Sequence, residues 1–176
     1  KSAEGLEHLR CVTTVVLDKT GTVTQGKPKV TDLYPLGQTA AEELLCVAAS
    51  LEKPSEHPLG AAIVEEAGAR NIPLVPVEGF EAVHGKGVRG KIQGASFLAG
   101  NAAMLADAKV ELGRDAMIAD ELAKQGKTPL FFVQDGRPIG IIAVADTVKE
   151  SSRAAIEGFQ KLGLKVVMLT GDNKRT

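Results

Sequence analysis

Apolar positions along the chain fall into two kinds of pattern. Near the ends they form short continuous runs: residues 12–17 (VTTVVL) lead into Asp18, and residues 165–169 (KVVML) lead into Thr170-Gly171-Asp172. Unbroken, β-branched runs of this length suit parallel strands covered on both faces. Residues 151–162 (SSRAAIEGFQKL) repeat at helical spacing, which places Ala155, Ile156, Phe159 and Leu162 on one stripe, and Gly163 ends the helix. The two ends therefore predict βα units of a parallel sheet.

The stretch between them reads differently. Residues 38–51 and 58–70 predict two helices, with Pro58 in the first turn of the second and Leu59, Ile63 and Ala67 on one face. Short strands are predicted at 75–83, 88–93 and 96–99, and helical pieces at 102–106 and 114–125. A hairpin of 130–134 with 137–145 turns at Asp135-Gly136. Strands and helices mixed in this way make an α+β module. The simplest parse inserts that module into a parallel α/β host. The chain would leave the host at Gln25-Gly26-Lys27-Pro28 and return at Ala145-Asp146-Thr147.

Composition narrows the class of function. The 176 residues carry 21 Lys+Arg against 22 Asp+Glu, a net charge of −1, and 44% are hydrophobic. That supports a packed core and leaves no basic excess to neutralise the phosphates of a nucleic acid. With no Trp and one Tyr, base-stacking platforms are scarce as well. No run reaches the roughly 18 apolar residues of a membrane span, and the polar opening does not read as a signal peptide. Cys11 and Cys46 form no CxxC, which predicts reduced thiols buried as small apolar groups. His8 and His84 have no partners at metal-ligand spacing.

The candidate chemistry begins right after the first strand, in Asp18-Lys19-Thr20-Gly21-Thr22-Val23-Thr24. In open α/β sheets the reactive groups sit at the carboxyl ends of the strands. A carboxylate there, followed by a glycine turn, can attack phosphorus while backbone N–H groups hold the phosphoryl oxygens. An Asp that merely caps a turn explains four such residues, but it explains the full string less well. Ser55-Glu56-His57-Pro58-Leu59 puts an imidazole at a helix start, where it can serve the helix or contact an adenine. Gly85-Lys86-Gly87-Val88-Arg89-Gly90 has GxGxxG spacing, but a strand follows it, and the dinucleotide fingerprint requires a helix. Those glycines can form a tight turn or let the backbone approach a ligand. Asn101, after Gly100, is a helix N-cap or a ligand contact. Gly126-Lys127-Thr128 lacks the upstream glycine of a P-loop, because position 121 is Glu, and it reads better as a helix C-terminal glycine leading into a strand.

Taken in order, DKTGTVT, SEHPL, Gly85-Lys86-Gly87, Gly100-Asn101 and Thr170-Gly171-Asp172-Asn173 resemble the P-type ATPases, and SEHPL resembles their heavy-metal-transporting branch. The resemblance implies an α/β fold: a haloacid-dehalogenase-like parallel-sheet phosphorylation domain, incomplete, at 1–27 and 146–176, with an inserted α+β nucleotide-binding domain at 28–145. It implies that Asp18 accepts the γ-phosphoryl group of ATP and that Asp18 and the Thr20 carbonyl bind Mg²⁺. It assigns Thr170 to the phosphoryl group and Asp172 to the nucleotide–Mg²⁺ region near the hinge. Glu52, Glu56, His57, Gly85, Gly87, Gly100 and Asn101 would surround the nucleotide. His57 would contact the adenine, with Lys86 and Arg89 as phosphate neighbours.

The partners implied are ATP or ADP, a heavy-metal ion (Cu⁺ by preference) handled by a membrane domain, and the membrane and actuator domains of the same chain. Nucleic acid is not among them. The implied setting is the cytoplasmic domain of an integral membrane protein. Many phosphatases of this superfold carry a second Asp two residues after the nucleophile; here that position is Thr20, which cannot transfer protons at neutral pH. An acyl-phosphate would therefore persist. The family's phosphate-contacting Lys and GDGxND segment are not reached before Thr176, so these 176 residues alone are expected to bind nucleotide weakly without forming a stable phosphoenzyme. A soluble phosphatase of the same superfold and a non-catalytic nucleotide-binding module are the rival readings.

Overall fold

The computed structural model describes residues 12–169. In chain order these form β1 (Thr14–Asp18), a turn (Lys19–Val23), β2 (Thr24–Pro35), α1 (Ala41–Glu52), α2 (Pro58–Ala69), β3 (Glu78–Val83), β4 (Gly87–Ile92) and β5 (Ala95–Gly100). There follow α3 (Ala102–Asp107), a 3₁₀ turn (Gly113–Asp115), α4 (Ala116–Lys124), β6 (Thr128–Gln134), β7 (Arg137–Val148), α5 (Glu150–Lys161) and β8 (Lys165–Leu169). Residues 12–27 with 146–169 make one compact unit and residues 28–145 another. Thr170, Asp172, Cys11 and His8 lie outside the described residues.

In the first unit β1 runs parallel to β8, in register from Thr14 opposite Lys165 to Asp18 opposite Leu169. The predicted apolar stripe of α5 is only partly used: Ile156 and Phe159 are half-buried, whereas Ala155 and Leu162 are exposed. β1 was expected to be covered on both faces, yet Val16 is 60% exposed. An apolar run signals that a surface wants cover without naming the segment that supplies it.

The second unit is a six-stranded sheet of order β2-β7-β6-β5-β4-β3, with antiparallel pairing from β7 through β3. Alternation along β6 and β7 builds two cores. Leu130, Phe132, Ile142 and Val144 meet α1 and α2 through Leu44, Leu45, Ala48 and Ile63. Phe131, Val133, Ile141 and Ala143 meet α3 and α4 through Leu105, Ala119 and Leu122. Two covered faces explain why these central strands read as continuous apolar runs.

Local chemistry explains the element ends. Asp135 (φ 47°) and Gly136 (φ 78°) make the two-residue hairpin turn, which requires positive φ at both positions. α4 closes on Gly126, whose N–H donates to Ala123 while the Lys127 N–H donates to Leu122, the Schellman pattern. Lys127 Nζ then reaches Asp32 of β2 at 2.7 Å. Burial raises the Asp32 carboxyl, but the Lys127 ammonium and Thr31 hydroxyl outweigh it and hold the group below its ordinary value. The thiol of Cys46 is half-buried rather than buried, and it donates to the Pro73 carbonyl.

β2 was not foreseen. Gly26 and Pro28 read as chain-breaking residues, so the segment was expected to be a hinge. The strand runs straight through it at the edge of the sheet, where a proline without an N–H is tolerated. β7 likewise continues through Ala145-Asp146-Thr147.

Candidate active site

Asp18 ends β1 level with the end of β8, and it is exposed. Its carboxylate thus stands at the carboxyl edge of a parallel sheet, where α/β folds place reactive groups. Thr20 (φ −78°, ψ 122°) and Gly21 (φ 77°, ψ −14°) then match the central positions of a type II turn. The second of these positions needs positive φ, which accounts for glycine at 21.

The turn is tied down by residues far away in sequence. The Gly21 N–H donates to Thr24 Oγ1 at 3.2 Å. The Thr24 hydroxyl lies against both the Lys19 carbonyl and the Asp146 carboxylate. With one proton to give, it favours the charged acceptor. Asp146 also accepts from the Gly26 and Lys27 N–H groups, each at 3.2 Å. Lys149 Nζ donates to the Gly21 carbonyl at 2.6 Å. The Lys149 N–H, at 3.0 Å, and Ser152 Oγ, at 2.7 Å, both donate to the Val23 carbonyl. The sequence singled out Asp146, Thr147 and, as the last residue of the DKTGTVT string, Thr24, but it gave Thr24 no role and missed Lys149 and Ser152. Side-chain bonds to main-chain groups more than 120 residues away leave no spacing to read.

Mg²⁺ takes hard oxygen ligands, keeps several waters, and is usually held by one or two carboxylates together with substrate phosphates. The Asp18 carboxylate and the Thr20 carbonyl are donors of that kind. Among the described residues no cluster of three or more His, Cys, Asp or Glu forms a metal cage. These two donors suit a partly hydrated Mg²⁺ shared with a phosphate.

The remaining site residues lie in the 28–145 unit and fall into two groups. In the first, Glu52 ends α1 and His57 caps α2. His57 Nδ1 accepts from the Leu59 N–H at 3.2 Å, which leaves Nε2 as the donor of an exposed ring. Ser55 joins the two residues: its N–H donates to the Glu52 carbonyl at 2.9 Å, and its hydroxyl accepts from the His57 N–H at 3.2 Å while opposing the upward shift of the Glu52 carboxyl. Glu52 is only 6% exposed, and burial pushes its carboxyl above the ordinary range against the opposing pull of Ser55. Glu56, between them, is exposed.

In the second group, Asn101 caps α3, with Oδ1 accepting from the Ala103 and Met104 N–H groups. Its Nδ2 donates to the Gly85 carbonyl at 2.8 Å, and its N–H donates to the Lys86 carbonyl at 2.9 Å. Asn101 is therefore both a cap and a clasp on the 85–87 loop. A Cβ on Gly87 would stand 2.0 Å from the Ala99 carbonyl oxygen, and one on Gly100 would stand 2.3 Å from the Lys86 oxygen. Close approach of two protein strands thus already requires glycine at both positions. Around Gly85 (φ 69°) there is open space. Lys86 pairs with Asp107, and Arg89 with Glu81 at 2.8 Å, so both cations have acidic partners. The two groups belong to neighbouring elements, since Leu51 Cδ2 is 3.6 Å from where a Gly90 Cβ would stand.

This arrangement has close counterparts in known proteins. The model of the haloacid dehalogenase-like hydrolases matches residues 12–176, and the chain belongs to that family. Within it, the relatives it resembles are P-type ATPases. The chain is 47% identical over 176 residues to a copper-transporting P-type ATPase of Rhizobium leguminosarum bv. viciae, covering all of this chain and 21% of the relative. It is 42% identical to a copper-exporting P-type ATPase of Bacillus subtilis (strain 168), covering 22% of that protein. A crystal structure of a zinc-transporting PIB-type ATPase in the E2.Pi state matches with a TM-score of 0.87 at 37% identity, over 99% of this chain and 28% of that one. The chain thus spans about a fifth of the length of the curated relatives it matches. The resemblance to heavy-metal-transporting P-type ATPases read from the motifs holds, and so does the α/β haloacid-dehalogenase-like fold class.

Proposed function

We propose that this chain is the ATP-binding and phosphorylation region of a P-type heavy-metal pump, with Cu⁺ as the transported ion. It would work on the cytoplasmic side of a membrane domain belonging to the same protein, together with an actuator domain. The observation that carries this reading is an exposed carboxylate, Asp18, at the carboxyl end of a parallel strand, followed by a pinned turn that has Thr20 in place of a second carboxylate. The copper-pump relatives support the choice of ion.

In this reading ATP is the substrate. An Asp18 oxygen attacks the γ-phosphorus, the new O–P bond forms as the bond to the β–γ bridging oxygen breaks, and ADP leaves with the electron pair. The clasp from Asp146, Lys149 and Ser152 holds the turn still, so little reorganisation is needed at the moment of attack. Thr20 provides no base to activate water, so the acyl-phosphate survives long enough to drive a conformational change. Mg²⁺, which Asp18 and the Thr20 carbonyl would hold, supplies charge neutralisation at the phosphate oxygens. In the 28–145 unit, His57 Nε2 offers a donor to the adenine edge, and Glu52, Glu56, Gly85, Gly87, Gly100 and Asn101 shape the surrounding surface. Thr170 would contact the phosphoryl group, and Asp172 the nucleotide–Mg²⁺ region.

Nucleotide titration of the 176-residue chain, followed by calorimetry, tests this. His57→Ala is expected to weaken ATP binding about tenfold or more, the loss of one well-placed hydrogen bond and ring contact, while Asp18→Asn leaves it unchanged. Absence of saturable ATP binding in the unaltered chain, or equal losses in both variants, would count against the proposal.

A further inference from the structure

Gly60 is the third residue of α2, a position where glycine is disfavoured relative to alanine. Its φ is not positive, so conformational freedom does not explain it. It is buried, and an ideal Cβ there would stand 2.4 Å from Glu52 Oε2, 3.1 Å from Cδ and 3.2 Å from Cβ. The Glu52 carboxylate oxygen therefore lies where the Cβ of any other residue at 60 would stand, with Cδ and Cβ packed closely beside it. That space is at the start of α2, next to the residues that set His57: Pro58 at the first turn and the Leu59 N–H on the imidazole.

We infer that Gly60 is a positioning residue of the nucleotide site, because its missing Cβ is the cavity that holds the Glu52 carboxylate against Ser55 and, through Ser55, fixes the approach to His57. The inference rests on the nucleotide-site reading of Glu52 and His57. A Cβ at 60 cannot be absorbed by the α2 backbone without shifting the helix that His57 caps. The alternative is for Glu52 to swing out. Glu52 is only 6% exposed, so outward movement takes its carboxyl out of the pocket and away from Ser55. Either response moves a group of the site. Shortening Glu52 by one methylene would remove the closest of these contacts, the one to Oε2 at 2.4 Å.

A four-way comparison tests this: the unaltered chain, Gly60→Ala, Glu52→Asp, and both together, each titrated with ATP and melted without it. With Glu52 present, Gly60→Ala is expected to weaken ATP binding about tenfold and to lower Tm. In the Glu52→Asp background, the same change costs less than about twofold in affinity and lowers Tm less, because the 2.4 Å contact at position 60 is gone. Equal effects of Gly60→Ala in both backgrounds, or none with Glu52 present, would overturn the inference. If the unaltered chain binds no ATP, the functional reading fails, and the Tm comparison still decides whether Gly60 holds Glu52. If Gly60→Ala alone does not fold, the double variant decides: recovery of folding supports the coupling, and failure refutes it.

Discussion

Replacing Asp18 by Asn in a full-length protein carrying this sequence is expected to lower ATP turnover by at least about 10⁴-fold while leaving nucleotide binding intact. The amide has nearly the shape of the carboxylate but no charge, and its oxygen is a poor nucleophile toward phosphorus. The fold should not notice the change. Asp18 is exposed, and its side chain makes no capping bond to the turn that follows. That turn is held by Thr24, Asp146, Lys149 and Ser152 instead. Phosphate release from ATP, measured beside ATP affinity, checks the prediction. Turnover retained above about 1% of the unaltered rate would mean that another group accepts the phosphoryl, since loss of a nucleophile ordinarily costs far more.

Gly87→Ala is expected to produce the largest loss of stability in the 28–145 unit, about 3 kcal/mol or more, from backbone crowding added to a strained φ. The new Cβ would meet the Ala99 oxygen at 2.0 Å and the Gly100 Cα at 2.5 Å, and φ is +155°. These are main-chain atoms of the paired strand β5, so no flexible side chain can move away. Relief requires parting β4 from β5 where Gly87 faces Gly100, beside the Asn101 clasp. Gly85→Ala makes the comparison sharp. Its Cβ would meet nothing, so it carries only the cost of a left-handed φ, roughly 1 kcal/mol. Thermal melts of the two variants should therefore differ by roughly 10 °C. Equal Tm values would show that β4 and β5 can separate freely here, and that the glycine at 87 is not there for packing.

This contrast bears on how much of the molecule could be read from its sequence. The apolar runs of β1 and β8, the helical spacing of α5, the Asp135-Gly136 turn and the Gly126 cap were all legible, because each is set by residues adjacent in the chain. β2 was not legible, because Gly26 and Pro28 signal a break wherever they occur, and only the sheet reveals that this strand is an edge. Among site residues, Asp18 and His57 stood out through their motifs. Ser55 was legible as a member of a string but not as the link between Glu52 and His57. Gly60 gave no signal at all: a glycine in a helix looks like a weak helix former until the Glu52 side chain is found beside it. The Lys149 and Ser152 contacts to Gly21 and Val23 were hidden for the same reason, being made across the inserted unit's full length in sequence.

The central claim is that Asp18 becomes covalently phosphorylated by ATP. The direct measurement is to expose the full-length protein to γ-labelled ATP for a short time, quench in acid and map the label by peptide mass spectrometry. An acid-stable, hydroxylamine-sensitive label on the peptide carrying Asp18, absent in Asp18→Asn, is the predicted result. ATP turnover that proceeds with no label at Asp18, or with the label on a hydroxyl side chain, would contradict it.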